Sequence, residues 1–165
     1  MARPVPHPIR PGQLSVWDFP RPPRVERVPG RVQIDFGGVR IADTDDVVRV
    51  LETSHPPVYY LPIDAFGDAL TLGQGASFCE FKGGARYFDV HGGGGVVAER
   101  AAWNYPSPMP GYEVLADRVA VYAGPMDRCI VNGEVVEPQP GGFYGGWVTS
   151  DLAGPFKGVP GSMGW

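Results

Sequence analysis

Gly (24) and Pro (19) interrupt the 165-residue chain every few positions. They stand between short apolar runs and follow no fixed period. They therefore read as turn punctuation rather than low complexity. The chain is 43% hydrophobic and 12% aromatic, which is too apolar for it to remain disordered. Its length suits one domain with a real core. Short strands, Gly/Pro turns and little helix imply a mostly β fold: a sandwich, a barrel or a pair of crossed sheets.

The pattern predicts eight or nine strands. Arg31–Phe36 alternates with period two, and Gly37-Gly38 then returns the chain through Val39–Ala42 as a hairpin. Asp43-Thr44-Asp45-Asp46 could cap a short helix over Val47–Glu52, but the β-branched Val47, Val48 and Val50 favour a strand. Val58–Leu61 reads as a strand stopped by Pro62. Ile63–Leu72 has the helical spacing for two or three turns, weakened by Gly67. Ser77–Phe81 and Ala85–Val90 read as strands around Lys82-Gly83-Gly84. Further strands are expected over Val96–Trp103, Val119–Ala123, Arg128–Val131 and Glu134–Glu137, the last two joined by Asn132-Gly133, a strong hairpin signal. The expected organisation is a Pro-rich arm over residues 1–30, a β domain over 31–137 and a Gly/aromatic extension over 138–165, forming one globular unit. Trp17 in the arm and Phe143 and Trp147 in the extension are expected to be buried, because neither segment can fold alone.

The charge pattern excludes several classes. Net charge is −4 and no basic run occurs, so the footprint of a nucleic-acid binder is missing. No apolar stretch approaches the length of a membrane span, and the N-terminus lacks the apolar core of a signal peptide. A cytoplasmic location with reduced thiols is the simplest expectation. The two cysteines, Cys79 and Cys129, form no CxxC pair. The histidines, His7, His55 and His91, lie far apart, so no metal site and no cofactor are expected. A phosphate-binding GxxxxGK[ST] loop is absent.

The densest chemistry is Phe78–Phe88. Cys79 lies near the end of one predicted strand, and Lys82 starts the glycine-rich turn with Gly83. Only two of the basic residues are lysines, Lys82 and Lys157. An ammonium beside a thiol favours the nucleophilic thiolate. The alternative is a small buried cysteine beside a solvated lysine. Trp103-Asn104-Tyr105-Pro106 could join Tyr59-Tyr60 in an aromatic pocket or equally form a core edge. The candidate pocket is thus Glu52, Tyr60, Cys79, Lys82, Gly83, Trp103 and Tyr105.

Val50-Leu51-Glu52, Val58–Pro62, Cys79–Gly83 with Ala85-Arg86-Tyr87, and Ala102–Pro106 occur in an order that resembles the domain of unknown function 427 family. Trp17–Pro23 and Gly141–Trp147 resemble its actinobacterial branch. The resemblance implies a compact two-sheet antiparallel fold of the β-tent type, with one short helix and long Gly/Pro-rich termini, and no known activity. The family is sometimes labelled nucleotidyltransferase, but Gly37-Gly38 and Asp43-Thr44-Asp45 are too close for a polymerase-type motif. The functional expectation is a domain that binds a small molecule between its sheets, with or without catalysis. The alternatives are a peptide or protein interaction module and a nucleotidyltransferase.

Overall fold

The computed structural model describes residues 3–165, so Met1 and Ala2 of the predicted arm lie outside it. In chain order the strands are β1 (Leu14–Ser15), β2 (Arg24–Val28), β3 (Val32–Phe36), β4 (Val39–Thr44) and β5 (Val47–Leu51). They continue with β6 (Val58–Pro62), β7 (Leu70–Cys79), β8 (Gly83–His91), β9 (Val97–Asn104) and β10 (Arg118–Val121). The last are β11 (Arg128–Val131), β12 (Glu134–Val135), β13 (Glu137–Pro138), β14 (Trp147–Val148) and β15 (Leu152–Ala153).

Two antiparallel sheets carry the fold, and neither is closed. The larger has seven strands in the order β2-β5-β6-β10-β9-β8-β7, and the smaller has four in the order β12-β11-β3-β4. Between them lies a core built from alternate residues of each strand. Val32, Ile34 and Cys129 come from the small sheet, and Tyr59, Leu61 and Val119 from the large one. Residues between these point the other way. Tyr60, Trp103 and Ala120 pack with Val48, Tyr105 and Leu115 on the outer face of the large sheet. Both faces of that sheet are therefore largely apolar, which explains why Val58–Leu61 reads as a continuous hydrophobic run.

Turn chemistry sets the register. Gly37 and Gly38 (φ 63° and 77°) close β3 onto β4, and Asn132 and Gly133 (φ 49° and 82°) close β11 onto β12. Both pairs have the left-handed conformation that a two-residue hairpin turn demands. The short helix expected from Ile63 is present but tighter and shorter than the spacing implied. Ile63–Ala69 forms 3-10 turns broken at Gly67 (φ 54°), and Leu70 already begins β7. Gly67 admits a backbone that no helix interior has, and pairing of Leu70 with Val90 extends the sheet instead. Phe81 also leaves the predicted strand, because the turn begins at Glu80.

The termini meet. β1 pairs with β15 in parallel, the Trp17 indole N–H donates to the Pro155 carbonyl (2.9 Å), and the Trp17 and Trp165 rings contact edge to face at 5.5 Å. Trp17 and Trp147 are buried as expected. Phe143 is not: it is 76% exposed, since flanking glycines carry it out on a loop where its ring meets only the edge-to-face contact of Tyr144 (5.0 Å).

Candidate functional site

A cleft of about 400 Å³ opens on the outer face of the large sheet. The space between the sheets, where the sequence placed the site, is filled by core. Strand pairing builds the cleft wall. Tyr87 of β8 stands directly opposite Trp103 of β9, and Trp103 opposite Ala120 of β10. Side chains in register share a face, so Tyr87 and Trp103 rise together. Tyr60 of β6 lies on the same face, with its ring 6.5 Å from that of Tyr105. Tyr122, just past β10, closes on Trp103 at 4.6 Å.

Three further segments bring polar groups to this wall. The β7–β8 hairpin supplies Cys79 and Lys82, the β5–β6 loop supplies Glu52 and His55, and the C-terminal segment supplies Tyr144 and Lys157. Six of the seven predicted residues line one cleft: Glu52, Tyr60, Cys79, Lys82, Trp103 and Tyr105. Gly83 does not. It is buried behind the turn, where a β-carbon would come within 3.3 Å of the Ser107 carbonyl, and the adjacent Lys82 carbonyl accepts from the Met109 N–H (2.9 Å). Its φ of 109° and its tight packing make it a structural glycine. Asn104 is likewise structural. It is fully buried, donates to the Ala116 and Arg118 carbonyls (each 3.0 Å) and accepts from Arg86 (2.9 Å).

His55, Lys157, Tyr122 and Tyr144 were not among the predicted site residues. The rarity of lysine was the one sequence signal for Lys157. Nothing near Ser54-His55-Pro56-Pro57 ties that loop to Cys79 in sequence.

The cleft electrostatics are uneven. Lys82 places its ammonium 5.7 Å from the centre of the Tyr105 ring. Lys157 lies 5.6 Å from that of Tyr144 and donates to the Trp165 carbonyl (3.1 Å). Glu52 faces Arg21 (3.4 Å) and His55 (4.0 Å). His55 Nδ1 sits 2.9 Å from the Thr53 carbonyl, which only accepts, so Nδ1 carries the proton and Nε2 is the basic nitrogen. Burial holds the imidazole below its ordinary pKa, and Glu52 opposes that only in part. Burial also pushes the Tyr60 and Tyr105 phenols up, so both are neutral donors at physiological pH. The cleft thus presents a thiol, two ammonium groups, a neutral imidazole, one carboxylate and a set of phenols.

Two other hollows are larger, at about 470 and 540 Å³. The first is walled by the loop around Gly141 and by Arg100 and Tyr122. The second lies between Pro22-Pro23 and the Met109–Tyr112 loop. Neither contains a cysteine, histidine or lysine, so volume alone is a poor guide here.

A family model described as Domain of unknown function (DUF427) matches residues 24–132. The chain belongs to that family. No curated protein matches it. The DUF427 match covers Glu52, His55, Cys79, Lys82 and the aromatic wall. Tyr144 and Lys157 come from beyond its end.

Proposed function

We propose that the protein binds a small molecule in the cleft on the outer face of its large sheet. One observation carries the reading: distant segments bring a thiol, two lysines, a histidine and a carboxylate onto a single aromatic wall. Binding sites typically combine apolar walls with a few convergent polar groups. Cys79 is the nucleophile within reach of such a ligand, and His55 Nε2 is a proton acceptor on the same cleft. A covalent reaction at Cys79 is the catalytic form of this reading.

A second reading has its own support. Phe78 (73% exposed) and Phe143 (76%) stand on the cleft rim, as they would where an apolar peptide side chain docks. The nucleotidyltransferase reading gains no such support, because among the described residues Glu52 is the one carboxylate on the cleft and metal-assisted transfer calls for two or three.

Cys79 gives the test. The protein is alkylated with iodoacetamide in the presence of the dialysable or the non-dialysable fraction of a cell extract. Protection of Cys79 by the dialysable fraction, together with a raised melting temperature, is expected. Protection by the non-dialysable fraction alone would replace the small-molecule reading with the peptide or protein one.

A further inference from the structure

Most arginines of this chain are ion-paired; Arg3, Arg86 and Arg100 instead lie over aromatic rings. Arg21, Arg24, Arg27, Arg31, Arg40, Arg49, Arg118 and Arg128 all sit within 4 Å of a carboxylate. Among the described residues neither lysine lies within 4 Å of an Asp or Glu carboxylate, although Lys157 donates to a main-chain oxygen of Trp165 (3.1 Å). Both lysines line the cleft, and both ammonium groups lie over tyrosine rings. They approach from separate segments, Lys82 from the β7–β8 turn and Lys157 from the C-terminal segment.

An ammonium half-removed from water without a carboxylate is incompletely compensated, because a ring face offers less than an anion. The carboxylate nearest at hand, Glu52, is turned to Arg21 and His55. His55 is held neutral by burial and adds no charge. In a protein of net charge −4, the charges on this cleft that lack an Asp or Glu partner are therefore positive. Between them Tyr60, Trp103 and Tyr105 form a nearly buried floor, and the half-exposed rings of Tyr87, Tyr122 and Tyr144 offer the open aromatic surface, which suits a flat body.

The geometry points to an organic anion as the ligand: a carboxylate or phosphate ester carried on a planar, apolar body, with Lys82 and Lys157 as its counter-charges and the half-exposed tyrosine rings of the cleft against its flat face. This rests on the small-molecule reading above and narrows it to a chemical class. Lysine suits either headgroup, since it acts as a point charge rather than a fork.

Phenyl phosphate and phenylacetate serve as the two anionic probes, phenylacetamide as the neutral match and phenethylamine as the cation. Dissociation constants are measured by calorimetry on the full chain. At least one anion is expected to bind about tenfold or more tightly than phenylacetamide, the strength of a charge-assisted contact. Phenethylamine is expected to bind more weakly than either. The preferred anion tells phosphate from carboxylate. Lys82→Met and Lys157→Met should each reduce the preference, and the double variant should abolish it. Should a variant fail to fold, added sodium chloride must weaken anion binding to the native chain while leaving phenylacetamide unaffected. Equal binding of anion and amide, a preference that survives the double variant, or no binding of any anion would overturn the inference. If Cys79 is still protected by the dialysable fraction in those cases, only the anion class falls. If that protection is also absent, the cleft reading falls with it.

Discussion

Cys79 and Cys129 occupy opposite environments. Cys129 lies in the core between the sheets, where burial pushes its thiol up to about 12. Cys79 is half-buried at the cleft. Brief alkylation of the native protein at mildly alkaline pH, read by peptide mass spectrometry, should modify Cys79 and spare Cys129 until denaturant is added. Equal labelling would contradict this placement. His55 makes a pH prediction. Its folded pKa lies below its ordinary value of 6.5. Between those two values the unfolded chain binds a proton that the folded chain refuses, so stability falls as pH drops through that window and levels off below it. The melting temperature should decline as pH falls below about 7, and His55→Gln should flatten the slope. Arg40 and Arg118 hold the Asp35 and Asp46 carboxyls below 3.8, so their contributions are lost only at more acid pH. Residue identity told which groups could do chemistry: Cys79 and Lys82 stood out by type and by the turn beside them. It could not show that His55 joins them, because the strand pairing that places His55 leaves no local pattern.

Elements whose turns are set by local backbone preference were the most legible. Gly37-Gly38 and Asn132-Gly133 each turn a hairpin with positive φ at both positions, a requirement visible in two letters. Gly133→Val should cost about 1 kcal/mol or more by chemical denaturation, since a β-branched residue resists φ near 82°. The helix read over Ile63–Leu72 ends at Ala69, because its apolar spacing fits a 3-10 helix entering a strand as well, and pairing with β8 takes over from Leu70. Asp43-Thr44-Asp45-Asp46 shows the same limit. It reads as a solvated, capping loop, but Asp46 holds Arg118, which is 5% exposed, through a 2.6 Å contact from across the sheet. Removing the charge would leave a buried guanidinium, whose Nε already lacks a partner, with no anion and only neutral acceptors such as the Asp46 carbonyl (3.0 Å). Asp46→Asn should therefore cost about 2–3 kcal/mol, tempered by the half-exposed position of Asp46 itself. A loss below a few tenths would show that water reaches Arg118 freely.

At the scale of the whole molecule, the C-terminal segment does two jobs that nested truncations can separate. Its first part is core. Trp147 is buried, stacks on Tyr59 at 5.2 Å and donates its indole N–H to the Val121 carbonyl (3.0 Å). Beside it the backbone presses so closely on the Trp103 ring that a β-carbon at Gly145 would come within 2.0 Å of it. Composition announced neither contact, because glycines in a tail look like freedom until a ring is found beneath them. The last part of the segment serves the cleft and the N-terminal arm, through Lys157 and through Trp165 against Trp17. A chain ending at Pro138 loses Trp147, and loss of a large buried aromatic costs about 3–5 kcal/mol. That is a large share of the stability of any domain, so its unfolding should become broad and its melting temperature should fall steeply. A chain ending at Phe156 keeps Trp147, β14 and β15, and loses Lys157 and Trp165. It should still unfold cooperatively, a few degrees lower, while binding an anionic probe no better than Lys157→Met does. Calorimetric melting and the same titration performed on both truncations decide the matter. If the shorter chain melts like the full one, the packing of Trp147 contributes nothing to stability. If the longer chain binds like the full one, the terminal lysine is no part of the cleft's chemistry.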